Sequence, residues 1–388
     1  MVRPLRTEFV GSRAGLFSFG MKLSAFTVLT LGLYRFWMKT RLRRWYWSAI
    51  RPGGHPLEYV GDPLEKLLGF LIAVVFLAFY IGIFNLILMF LSFSFWKGNF
   101  VGYATSFIAI IPVLFFAKYR ARRYILARTR WRGIRFGLEP AAWRYSVVAM
   151  FLWAITILSA GALWPLMTFH LEKFRTNRTW FGSAKLLQGG RWYKLILPAT
   201  PALLSLWISL GLVAGFGSTE NPAFIGGLFV SLPALGVFWV YYRVAAFRYL
   251  QSNKMIGDDV AMTATPRFWR IFGIYIWGNV AVGLILSGVA SVVFVALIAI
   301  FLMLGFSEDL SDASVYLAFP LGLLGYFAVF VFWDVLTQVF VRMPLLEHYA
   351  ESIGITDPMA LSALSQRDRD AFLDAGGFAE ALDVGAAI

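Results

Sequence analysis

The chain contains no cysteine and only three histidines among 388 residues. Without thiols it has neither a disulfide framework nor a thiolate metal site. His55, His170 and His348 lie far apart and lack metal-ligand spacing, so no metal and no cofactor are expected. Charge is also scarce. Charged residues make up 14% of the chain, against roughly a quarter in soluble domains. Acid is the scarcer sign, with 21 acidic residues against 35 basic ones and a formal net charge of +14. No Ser-His-Asp set stands out, no apolar run carries paired carboxylates, and no glycine-rich phosphate loop is present. The chain is therefore not expected to be an enzyme.

What replaces charge is apolar surface: 59% of residues are hydrophobic and the mean hydropathy is +0.70. A hydrocarbon core of ~30 Å takes about 20 apolar residues in a helix. Six runs meet that length: 67–95, 100–117, 195–216, 223–242, 271–304 and 315–340. They fall into three pairs. The links inside the pairs carry little positive charge: Trp96–Asn99, Gly217–Pro222 and the acidic Gly305–Ser314. Between the pairs lie basic linkers at 35–66, 118–145, 170–194 and 243–270, which hold 27 of the 35 Lys and Arg residues. By the positive-inside rule all four belong on the cytoplasmic side. A pI near 10 also raises nucleic acid as a partner. None is expected, because the basic residues cluster at span ends. The N-terminal run contains Lys22 and flows into Trp37 with no small-residue cleavage site, so it is expected to be retained.

Two further apolar runs, 15–37 and 146–169, complicate the topology. If both cross, there are eight full spans, and half the basic linkers face the wrong side. Both runs contain a break, at Gly32 and at Gly161 with Pro165, and Gly and Pro end or bend helices. The favoured reading is an all-α polytopic membrane protein with six full spans and two broken wedge helices that enter the cytoplasmic leaflet and return. Eight full spans remain the alternative. The segments Thr129–Phe136, Arg178–Leu187 and Lys254–Thr263 read as small β-hairpins in the cytoplasmic linkers, able to stand side by side as a small sheet.

The chain also repeats itself. Lys39-Thr-Arg41-Leu-Arg43-Arg44-Trp45 returns as Lys118-Tyr-Arg120-Ala-Arg122-Arg123-Tyr124, each at the end of an apolar run. Gly32 and Gly53 align with Gly161 and Gly182 at a constant offset of 129 residues. These internal repeats divide the chain into a first membrane repeat (1–129), a second (130–256), a partial third (257–345) and an acidic tail (346–388).

Thr30-Leu-Gly-Leu-Tyr34-Arg-Phe-Trp37, the basic stretch Lys39–Trp45, Leu57-Glu-Tyr-Val-Gly61 and the entry Phe9-Val-Gly11 resemble the YjgN family. This is a group of bacterial inner-membrane proteins of unknown function carrying a DUF898 domain. The likeness is strong over residues 9–70 and continues to about residue 280, weakening at Ser159–Pro165, where the Thr-Leu-Gly-x-Tyr pattern degenerates. The resemblance implies a bacterial inner-membrane location and this repeat architecture. It implies no activity and no catalytic residue.

Arg41, Arg43, Arg44, Arg120, Arg122 and Arg123 are candidates for holding anionic lipid phosphates, since Arg donates in a fork that matches phosphate. The plainer reading makes them topology signals and interfacial anchors. Asp334 and Lys22 are ionisable groups inside apolar runs, where such groups are costly and often functional. Asp334 lies near the cytoplasmic end of its run, where pairing with a linker Arg would also account for it. The function expected is transport or lipid handling, with anionic membrane lipids as partners. The alternative is a non-catalytic scaffold or regulator that binds a protein partner through its linkers and acidic tail.

Overall fold

The computed structural model describes residues 5–96, 100–303, 312–356 and 360–367. Two of the links within span pairs (97–99 and 304–311) and the acidic tail beyond 367 lie outside the described residues. Strand β1 (Leu5–Phe9) leads into helices α1 (Arg13–Leu29) and α2 (Arg35–Ala49). Strands β2 (Ile50–Pro52) and β3 (Leu57–Tyr59) follow, then α3 (Pro63–Phe79), continued through a π turn as α4 (Asn85–Trp96), and α5 (Phe100–Ala127). Strands β4 (Thr129–Trp131) and β5 (Ile134–Leu138) precede α6 (Ala142–Leu158) and α7 (Trp164–Thr176). Strands β6 (Thr179–Phe181) and β7 (Ala184–Gln188) precede α8 (Ile196–Thr219) and α9 (Ala223–Ser252). Strands β8 (Lys254–Ile256) and β9 (Val260–Ala264) precede α10 (Phe268–Met303), α11 (Asp312–Thr337) and α12 (Met343–Glu351). Strand β10 (Ile353–Ile355) and a 3-10 turn, Ala360–Ala363, close the described chain.

Among the described residues, six helical stretches are long and apolar enough to cross a membrane: Pro63–Phe95, Ala104–Ala127, Trp192–Thr219, Ala223–Ser252, Phe268–Ile300 and Gly325–Glu351. They turn large apolar side chains outward, among them Val75, Phe229, Leu284 and Val292. Contiguous apolar surface on this scale is stable only in lipid. This is an integral membrane protein.

The chain folds as two compact units, one made of residues 1–8, 51–268 and 351–388, the other of 9–50 and 269–350. The first unit corrects the all-α expectation. The linker hairpins do stand side by side, and β1 and β10 extend them beyond the small sheet expected. They join in one ten-stranded sheet in the order β2-β1-β10-β9-β8-β7-β6-β5-β4-β3, and the pairs with a defined register are antiparallel. The edge strands β2 and β3 are consecutive in the chain, separated only by residues 53–56. A flat sheet would hold its edges about 43 Å apart at ~4.8 Å per strand, whereas Pro52 to Leu57 can span at most about 18 Å. The sheet must therefore curl into a nearly closed ring. No local pattern in the sequence marks the ring, because its closure depends on pairing between strands about 40 to 350 residues apart.

Register then decides what fills the ring. Trp131 sits opposite Leu57 and Ile134, Phe181 opposite Phe136 and Ala184, Ile256 opposite Leu186 and Val260, and Ile355 opposite Leu5 and Met262. With period-2 alternation these residues share the inner face, and they form one apolar core together with Leu361 and Leu364 of the C-terminal segment. The ring is thus a packed core rather than a pore. Residues 361–367 seal it. The Ser183 N–H donates to the Ser365 carbonyl at 2.9 Å, and the Arg135 N–H donates to Gln366 Oε1 at 2.9 Å. Gly182 has φ +54, and a Cβ there would collide with the Ser365 carbonyl, so this turn needs glycine for both reasons.

In the second unit α1 packs on α11, with Gly20 against Val335. Leu16, Leu23, Leu42, Tyr46, Val339 and Met343 form its core. The Tyr46 hydroxyl donates to Gln338 Oε1 at 2.9 Å within a π turn at Gln338–Arg342.

Candidate functional site

The two breaks fold alike. At Gly32 and Gly161 the chain adopts φ of 92° and 88°, after Leu31 and Ala160 at 51° and 49°. The Gly32 N–H donates to the Thr27 carbonyl and the Gly161 N–H to the Thr156 carbonyl, each at 2.8 Å. Two residues earlier, the side-chain oxygens of Thr30 and Ser159 accept from the N–H of Tyr34 (3.0 Å) and Leu163 (3.2 Å). Each backbone N–H from Thr30 to Arg35, and from Ser159 to Trp164, finds a partner within its own break. A reversal so satisfied can enter lipid without stranding backbone donors. The tips match that environment, with Leu31 92% and Leu158 86% exposed. Pro165 occupies the first turn of α7, where its missing N–H costs nothing.

The arginine stretches divide between the two units. In α2, Arg43 is buried, and the Arg41 guanidinium lies 5.7 Å from the Tyr34 ring. In α5, Arg120 lies 5.7 Å from the Phe116 ring, and Arg123 Nε donates to the Leu138 carbonyl at 3.1 Å. Asp334 stands 3.6 Å from Arg342, and Lys22 lies on the exposed side of α1.

Arg122 leads to a cluster. Glu172 of α7 accepts from Lys254 Nζ at 2.6 Å and Arg175 Nη2 at 2.7 Å. Arg122 lies within electrostatic reach of both Glu172 and Arg175, and its buried Nε makes no hydrogen bond. Lys118, one turn earlier on α5, feels both arginines. Three cations thus converge on one carboxylate, with Lys118 beside two of them. Burial alone would raise the Glu172 carboxyl, but Lys254, Arg175 and Arg122 outweigh it and hold the group well below the ordinary carboxylate range. Burial also pulls the Lys254 ammonium below its ordinary value in spite of Glu172. Tyr119, Tyr145 and Phe174 wall the cluster with mutual ring contacts.

Two other carboxylates make ion pairs in the same unit, Glu65 between α3 and the end of α5 and Glu139 between neighbouring ring strands. Glu65 takes Arg128 and the Tyr124 hydroxyl. Glu139 takes Trp180 Nε1 and Lys185 Nζ, each at 2.9 Å, and these contacts outweigh its burial and lower its pKa. Glu172, Arg175 and Lys254 were not among the candidate site residues read from the sequence. A signal was available: Glu172 is the sole acid in the basic linker 170–194, as Glu139 is in 118–145.

The family model described as "Bacterial protein of unknown function (DUF898)" matches residues 4–287. The chain belongs to the DUF898 family. No curated protein and no solved structure matches it. The DUF898 match takes in both breaks, Arg122, Glu172, Arg175 and Lys254, and strands β1 to β9. Asp334, β10 and the sealing segment lie beyond it.

Proposed function

We propose that this DUF898 protein is a non-catalytic, multi-pass protein of the bacterial inner membrane that handles anionic lipid at the cytoplasmic leaflet. Six helices cross, and α1–α2 and α6–α7 are wedges that enter the leaflet and return. The observation that carries this reading is the shared sheet. Hydrogen-bonded strands lie in one aqueous layer, and strands from all four basic linkers belong to it. Every stretch between two linkers then crosses an even number of times. Helices of 17 and 13 residues, α6 and α7, rise about 26 and 20 Å, too short for a crossing pair in a core of ~30 Å. The same parity applies to α1–α2, which lies between ring strands β1 and β2. The matched hydrogen bonds at the two breaks, 129 residues apart, support descent from a common repeat.

Apolar tips in the leaflet with basic helices behind them suit a protein that holds a lipid by both ends. Native mass spectrometry of the gently purified protein tests this. A discrete anionic lipid should survive on the wild type and be lost when Arg41 and Arg44 become Gln. Bulk lipid retained equally by both would contradict it. The second reading, a scaffold or regulator, draws support from the seating of residues 361–367 on the ring. It requires that deleting 360–388 abolish function while lipid retention is unchanged.

A further inference from the structure

We propose that Arg122, Arg175 and Lys254, with Lys118 at the edge and Glu172 at the centre, form a binding site for a phosphate-class anion where α5, α7 and β8 meet. The charge count is the first argument. Three cations act on one carboxylate, whose strongest acceptance is already shared between Lys254 at 2.6 Å and Arg175 at 2.7 Å, and Lys118 adds a fourth positive charge beside Arg122 and Arg175. Nothing among the described residues supplies Arg122 with a counter-ion at contact distance, and its Nε is buried without a hydrogen bond. A partly buried cation that shares its nearest carboxylate with two others and leaves an N–H unsatisfied is a standing cost that folding alone does not repay. A bound anion would repay it.

Access is the second argument. Lys254 is 7% exposed, whereas Glu172 and Arg175 are 14% and 22% exposed. Glu172 and Arg175 are thus partly open to water, and Tyr119 and Tyr145, packed with Phe174, lie beside Arg122. In such surroundings each contact is stronger than on an open surface. Donor geometry selects the ligand class. Two guanidinium forks and an ammonium together offer more N–H donors than a carboxylate can accept, and they match the three free oxygens of a phosphomonoester. Lys254 comes from the ring and Arg122 and Arg175 from the helices, so the ligand would also lock the ring to its helical base.

The phosphate can arrive as a lipid headgroup or as a free ion. The site deepens the lipid-handling reading, and rests on it only for that choice. The test uses the full chain in nanodiscs. Thermal unfolding is followed against inorganic phosphate, with sulfate at equal ionic strength as reference. Lipid retention is read by native mass spectrometry with phosphatidic acid against phosphatidylglycerol. R122Q removes the unpaired cation, and R132Q makes the same charge change at the exposed β4–β5 turn. We expect saturable stabilisation by phosphate or selective retention of phosphatidic acid, weakened at least tenfold in R122Q and unaltered in R132Q. R122Q without ligand should unfold at or above the wild-type temperature. Phosphate binding without lipid retention would keep the site and remove the lipid reading. Selective lipid retention that R122Q does not weaken would keep the lipid reading and overturn the site. Equal losses in R122Q and R132Q, or no phosphate or lipid effect at all, would also overturn it. K254Q serves as a second variant, expected to weaken phosphate as R122Q does.

Discussion

At the scale of single residues, Glu172 holds together a cluster that would otherwise repel itself. Its loss leaves the buried Lys254 ammonium without its carboxylate and takes the same carboxylate from Arg175, and breaking a buried pair of this kind costs about 3–5 kcal/mol. E172Q should therefore unfold at a clearly lower temperature in a detergent thermal scan, and inorganic phosphate should return part of the loss by standing in for the missing carboxylate. The sign of the pH effect follows from the lowered Glu172 pKa. A carboxyl depressed in the fold contributes fully above its unfolded value near ~4.3 and loses that contribution as pH falls through its folded value. Wild-type stability should fall on acidification below about pH 4. E172Q should lose most of that slope and keep the smaller share owed to Glu139, whose carboxyl is also lowered. The cluster was only half legible in the sequence. Arg122 stood out because its stretch recurs, whereas Glu172 and Lys254 lie 82 residues apart and are joined by tertiary packing alone.

At the scale of elements, the breaks show what a sequence can and cannot say. Gly32 and Gly161 were readable as interruptions, because positive φ at the end of a helix calls for glycine. That Leu31 and Ala160 also adopt positive φ was not readable, since non-glycine residues rarely do so. The reversal is stabilised by Thr30 and Ser159, whose side chains accept from the backbone four residues on. An environment-sensitive fluorophore on L31C or L158C should emit as in hydrocarbon in liposomes and be quenched by lipid-borne quenchers. Emission as in water would place the tips outside the leaflet. The hairpin turns were legible from their glycines, but the apolar belt inside the ring emerges only from register, which pairs Trp131 with Leu57 and Phe181 with Phe136.

At the scale of the whole molecule, six apolar runs declared a membrane protein from composition alone, and the helices fall on those runs with ends shifted by several residues. The ring was invisible because it needs β1 to pair with β10, strands 350 residues apart in the chain. The seal at residues 361–367 is part of that core. L361A should cost about 2–5 kcal/mol, as truncation of a buried leucine does, and G182A should loosen the same segment by collision with the Ser365 carbonyl. Both effects can be read as earlier proteolysis after residue 356 together with a lower unfolding temperature.

The central claim is that all four basic linkers share one side of the membrane. The chain has no native cysteine, so H55C on the β2–β3 turn and D258C on the β8–β9 turn can be labelled singly with a membrane-impermeant maleimide. Both should resist label in intact spheroplasts and take it in inverted vesicles. Labelling of the two from opposite faces would contradict the shared ring, and with it the wedges and the site beneath it.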